Sequence, residues 1–188
     1  INTIVNWNSH DGYLIKTGGE TQVLFSGLEE PLKSVTLSAD WNLIPVLSKC
    51  DVDVAALFES TSLQIVKEVA GWKVYWPEFN INSLNMLESG RSYYVRMIGS
   101  GVIHYPVCES LKSNALSGDD PPDYSPWALD LPTAKSHTIA ITGPALNFIE
   151  INPGDVIGAF DPAGSCFGVV QWKYQNTSLT IFGDDPMT

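Results

Sequence analysis

The side chains able to do chemistry in this chain fall into three groups. The first is acidic. Gly118-Asp119-Asp120-Pro121-Pro122-Asp123 and Gly183-Asp184-Asp185, together with Asp155 and Asp161, set carboxylates on turn sequences. Calcium prefers roughly six to eight hard oxygen ligands, mixing carboxylates with backbone carbonyls. Calcium is therefore the candidate cofactor, with Asp119, Asp120, Asp155, Asp161, Asp184 and Asp185 as candidate ligands. None of these stretches matches the EF-hand loop, so solvated acidic turns stand as the alternative. The second group is aromatic. Trp72, Tyr75 and Trp76 crowd one stretch, with Phe79 beyond and Tyr93 and Tyr94 further on. Exposed rings in a flat row would stack on sugar faces. In a strand, however, Trp72, Val74 and Trp76 share one face and Lys73 and Tyr75 the other, the pattern of a core-facing side. Both readings stay open, a packed core and a sugar-binding platform.

The third group is nucleophiles and bases. Gly164-Ser165-Cys166-Phe167-Gly168 is similar to the nucleophile segment of papain-like proteases. Its partners are missing: no histidine follows His137, and only 22 residues follow Cys166. His10, His104 and His137 share no metal-ligand spacing. No nucleophile elbow, phosphate-binding P-loop or dinucleotide fingerprint appears. Carboxylates are numerous enough for a glycosidase pair, but that chemistry needs a deep cleft between its two acids. The expectation is a protein without catalytic activity.

The elements that would position these residues are mostly strands. Gly12–Lys16 and Thr21–Phe25 flank a Gly-rich turn and read as a hairpin. Extended runs follow at 34–37 and 41–46. Asp51 is placed to cap a short amphipathic helix that buries a stripe through Val54, Leu57 and Phe58. Residues 63–67 and 72–76 read as a strand pair that Pro77 ends. Asn80 or Asn82 could open a helical turn through Leu84 and Leu87, and 93–97 with 101–105 reads as a second hairpin. Residues 110–126 are rich in Ser, Asp and Pro, which places a linker at 110–123. Strands at 136–141, 156–160, 166–172 and 178–182 then alternate with close turn signals. Short strands at this spacing predict a small sandwich. The expected fold is all-β, with one or two short helices and two small antiparallel sandwich-like modules at 1–109 and 124–188.

One segment is echoed later in the chain, with coincidence between two strand-like runs as the alternative. INTIVNWNSHDGYLIK at 1–16 aligns without gaps on INSLNMLESGRSYYVR at 81–96. Ile1/Ile81, Asn2/Asn82, Ser9/Ser89 and Tyr13/Tyr93 are identical, and several other pairs are chemically close. The expectation is that 1–109 opens with the tail of a preceding repeat. The acidic turn at 183–188 has no strand after it, which suggests a cut edge there too.

Trp41-Asn42-Leu43-Ile44-Pro45, Val74-Tyr75-Trp76-Pro77, Ile81-Asn82-Ser83-Leu84 and Tyr93-Tyr94-Val95 together resemble a module of large secreted Bacteroidota proteins. His137–Ile141, Gly154–Phe160, Gly164–Gly168 and Phe182–Asp185 are similar to a second module of the same proteins. The pattern departs at Asp40, where a glycine is usual, and at Ser83-Leu84-Asn85. The resemblance implies a secreted or cell-surface location, often by type IX secretion, and a structural or adhesive role; a carbohydrate-binding module is the alternative. It implies no catalytic residue.

Composition agrees with that class. The net charge is -11, with 10 basic residues against 21 acidic ones, so no basic stripe exists to neutralise nucleic-acid phosphates. No apolar run is long enough to cross a bilayer, and membrane insertion is not expected. Cys50, Cys108 and Cys166 are evenly spaced, and whether two of them are bridged stays open at this point. The expected partners are neighbouring modules of the same polypeptide, a polysaccharide or another protein.

Overall fold

The structure, a computed structural model, describes residues 6–15, 17–19, 22, 24, 27–108, 127, 129 and 132–183. The described residues form an all-β fold with one short helix. Contacts divide the chain into two compact units. The first combines 1–63 with 85–113, and the second combines 64–84 with 114–188. This division does not follow the sequential order 1–109, 110–123, 124–188, because the segment 64–84 groups with the C-terminal strands.

The first unit is built on a long antiparallel ribbon. Strand β1 (Ser34–Leu37) and strand β2 (Asp40–Pro45) run against β8 (Ser92–Met97) and β9 (Gly101–His104). Ser34 to Leu37 face His104 to Gly101, and Asp40 to Pro45 face Met97 to Ser92. The register slips by one residue between the two halves, because Ser38-Ala39 oppose the longer Ile98-Gly99-Ser100. A slip of this kind bends both strands together, as at the corner of a sandwich. The 93–97 and 101–105 runs are therefore not a hairpin; each pairs with an earlier strand instead.

One side chain and one backbone conformation shape this corner. Asn42 accepts from Ser38 N and donates to the carbonyls of Ser38 and Asp40. Asp40 itself adopts φ 72, a left-handed backbone that favours glycine. Asp is among the few residues other than glycine that tolerate this conformation.

Between these strands lie β3 (Val52–Asp53), the helix α1 (Val54–Phe58) and β7 (Met86–Leu87), with β3 paired to β7. The helix cap is Asp53, whose carboxylate accepts from Ala56 N at 2.8 Å. Asp51, the expected cap, instead accepts from Ser89 N. A helical turn over 84–87 is not formed. Leu84 and Leu87 are buried, but Leu87 lies in β7. The core of this unit gathers Leu37, Ile44, Val54, Tyr93, Val95 and Ile103, all buried. A disulfide joins Cys50 to Cys108 across 58 residues, leaving Cys166 free.

The expected hairpin over 12–25 is not seen in its first arm. Residues 12–15 form no strand, and Gly12 N donates to Leu43 O on β2. Most of the second arm lies outside the described residues.

The second unit contains β4 (Leu63–Glu68, all but its first residue), β5 (Val74–Trp76) and β6 (Ile81–Asn82), paired in that order. Glu68 braces the β4–β5 turn: its carboxylate accepts from Lys73 N, and a side chain at Gly71 would collide with it. Pro77–Phe79 forms a single 3-10 turn, closed by Asn80 in the left-handed conformation. Strand β10 (Ser136–Ile141) pairs with β13 (Thr177–Phe182), and β11 (Val156–Phe160) pairs with β12 (Cys166–Gln171). All four strands fall where turn spacing places them. Gly168 allows β12 to approach β13 closely, since a Cβ there would sit 2.4 Å from Thr180 O.

Candidate functional site

The second unit encloses a cleft of about 490 Å³. One side is formed by Trp72 and Lys73, at the bend before β5, and by Asn80 to Ser83. The other side is β12 with the turn that leads into β13. Strand alternation explains why apolar floor residues sit beneath polar rims. Ile81 and Val169 are buried, whereas their neighbour Asn82 is exposed. Asn176 clamps the structure: its amide donates to Phe79 O at 2.8 Å and accepts from Gly143 N at 3.1 Å. Ser83 is also committed, both accepting from and donating to Val74.

Other lining groups are uncommitted. Asn80, Asn82, Lys173 and Gln175 are exposed, and none makes a side-chain hydrogen bond among the described residues. The lining contains two lysines, Lys73 and Lys173, and no Asp, Glu or His. The unit as a whole has the opposite character, with four lysines against eleven carboxylates in its sequence. Chemically the cleft offers amide donors and acceptors, hydroxyls, two cations and part of an indole. These groups hold a polar ligand through directed hydrogen bonds.

Of the three expected aromatic residues, Trp72 lines this cleft, while Tyr75 and Trp76 lie outside its lining. Trp72 precedes β5 rather than belonging to it, and its ring meets Phe182 edge-on at 4.5 Å. Trp76 meets Phe79 edge-on at 4.8 Å. Both tryptophans are half-buried, and each keeps a buried ring N–H without an acceptor among the described residues. A buried donor left unpaired costs about 1–3 kcal/mol. Trp41 and Tyr94, on the exposed side of the β2–β8 pair in the first unit, form another aromatic group, with Arg96 over the Trp41 ring. Their rings are nearly perpendicular, at 80°.

Asp119, Asp120, Asp184 and Asp185 lie outside the described residues. Asp155 and Asp161 stand at opposite ends of β11, roughly 20 Å apart along an extended strand. Each caps its own turn: Asp155 accepts from Asn152 N, and Asp161 accepts from Ser165 N. No group of three His, Cys, Asp or Glu side chains able to hold a metal occurs among the described residues. The histidines are dispersed, with His104 bonded to Ser34 and His10 contacting Leu32 O and Ser9.

The sequence echo has a geometric counterpart. In the first copy the Tyr13 hydroxyl accepts from Asn8 N at 2.8 Å, and Asp11 N donates to Asn8 O. In the second the Tyr93 hydroxyl accepts from Glu88 N at 2.9 Å, and Arg91 N donates to Glu88 O. The same tyrosine clasps the same kind of turn, 80 residues on. The copies differ in setting, because Tyr93 is fully buried and Tyr13 half-buried.

No protein-family model, no curated protein and no solved structure matches this chain.

Proposed function

We propose that this chain is a non-catalytic structural or adhesive segment of an exported bacterial surface protein, assembled by repetition of one β unit. The observation that carries this reading is the tyrosine-clasped turn, formed once at 8–13 and again at 88–93. Repetition of a local device is what a chain built from stacked modules produces. The Cys50–Cys108 disulfide supports the location, since structural disulfides persist in oxidising surroundings and are rare where thiols are kept reduced. A carbohydrate-binding role is the second reading, favoured by the amide-rich cleft of the second unit.

Surface biotinylation of intact host cells tests the first reading. The expected result is labelling of the chain without lysis, with weaker attachment to surfaces when the segment is deleted. Labelling only after lysis would overturn it.

A further inference from the structure

We infer that the cleft of the second unit binds an anionic saccharide chain, one bearing uronate carboxylates or sulfate esters. The inference rests on the adhesive half of the reading above and names a ligand class for it.

The argument starts from charge. The chain carries 21 acidic residues, yet none lines this cleft, while two of its 10 basic residues do. In a molecule so acidic, an exposed lysine, Lys173, on a lining without carboxylates offers a cation that a ligand can reach. Such a site attracts an anion at short range and leaves cations to the rest of the surface. Lys173 has no ion-pair partner among the described residues, so its ammonium is available to a ligand.

Hydrogen-bonding chemistry then narrows the ligand. Asn80, Asn82 and Gln175 present side-chain amides that are exposed and uncommitted. An amide carries both donors and acceptors, which suits a hydroxyl that must do both. A phosphate or a bare inorganic anion needs donors only and would leave the amide oxygens unused. Trp72 adds apolar surface to the lining.

Affinity electrophoresis of the intact, oxidised chain tests the site. The gels contain polygalacturonate, chondroitin sulfate or dextran and are run at about 0.15 M salt. At that ionic strength the repulsion of distant carboxylates is screened beyond roughly 8 Å, and contacts in the cleft dominate. The variants are Lys173→Gln and Asn82→Ala, both at exposed positions, with Lys135→Gln as a lysine control outside the lining. Retardation by polygalacturonate or chondroitin sulfate, and not by dextran, is expected, and the stronger of the two anionic gels separates carboxylate from sulfate recognition. Lys173→Gln should weaken binding about tenfold, the size of one charge-assisted hydrogen bond. Asn82→Ala should weaken it further, and Lys135→Gln should leave it unchanged. No retardation in either anionic gel, equal retardation in dextran, or Lys173→Gln behaving like Lys135→Gln would overturn the inference. Those failures leave surface labelling of the host intact, whereas labelling only after lysis would remove the parent reading and leave the gels unaffected.

Discussion

At the residue scale, the two tyrosine clasps form a natural pair of experiments. Tyr93→Phe removes the acceptor of Glu88 N inside a packed core, where an unsatisfied donor costs about 1–2 kcal/mol. Tyr13→Phe removes the matching bond where solvent can replace it, so its cost is expected to be much smaller. Urea unfolding of the two variants checks this, and equal losses would contradict it. Tyr105 gives a pH signature. Burial, reinforced by the nearby Tyr93 phenol, pushes its phenol well above the usual value of 10.0, and its hydroxyl donates to Pro45 O. Above pH 10 the unfolded phenol ionises while the folded one stays protonated. This contribution is therefore full below pH 10 and is lost as pH rises towards the folded value, by about 1.4 kcal/mol per pH unit. Unfolding midpoints from pH 9 to 11 should fall more steeply in the natural chain than in Tyr105→Phe; parallel curves would contradict this. Asp40 shows what a residue reveals only in its fold. Its type is read directly from the sequence, but the left-handed backbone at that position is not. Asp40→Gly should relieve that strain and outweigh the exposed Arg96 ion pair, raising stability by about 0.5 kcal/mol.

At the element scale, the positions of the longer strands from residue 34 onward were legible and strand partners were not. The alternation at 136–141, 156–160 and 166–171 and the turns between them are local, and each strand appears where local signals place it. Pairing is non-local, so 93–97 and 101–105, adjacent in sequence, find partners in β2 and β1 instead of each other. The helix was legible, but its cap moved by two residues, because either aspartate could accept from an open N–H and Asp51 is taken by Ser89. The candidate site was only partly legible. Trp72 stood out by its type, whereas Asn80, Asn82, Lys173 and Gln175 carry no motif and meet only through tertiary packing. Close approach of β12 to β13 is tested by Gly168→Ala. Its Cβ would meet backbone, which cannot swing aside, so a loss of about 2–3 kcal/mol is expected in thermal unfolding. An unchanged melting temperature would contradict that packing.

At the scale of the whole molecule, the disulfide and the charge balance bear on the proposed reading. A net charge of -11 over 188 residues favours keeping the chain in solution. A 58-residue loop closed by a disulfide stabilises the folded state by about 4 kcal/mol in the chain-entropy account. That contribution exists only where the bridge can persist, so the proposed exported location and the stability of the first unit stand together. Peptide mapping without reduction, on the chain recovered from its host and alkylated at harvest, tests this claim most directly. The account predicts one linked pair containing Cys50 and Cys108, with Cys166 alkylated. Alkylation of all three cysteines in the recovered chain would contradict it.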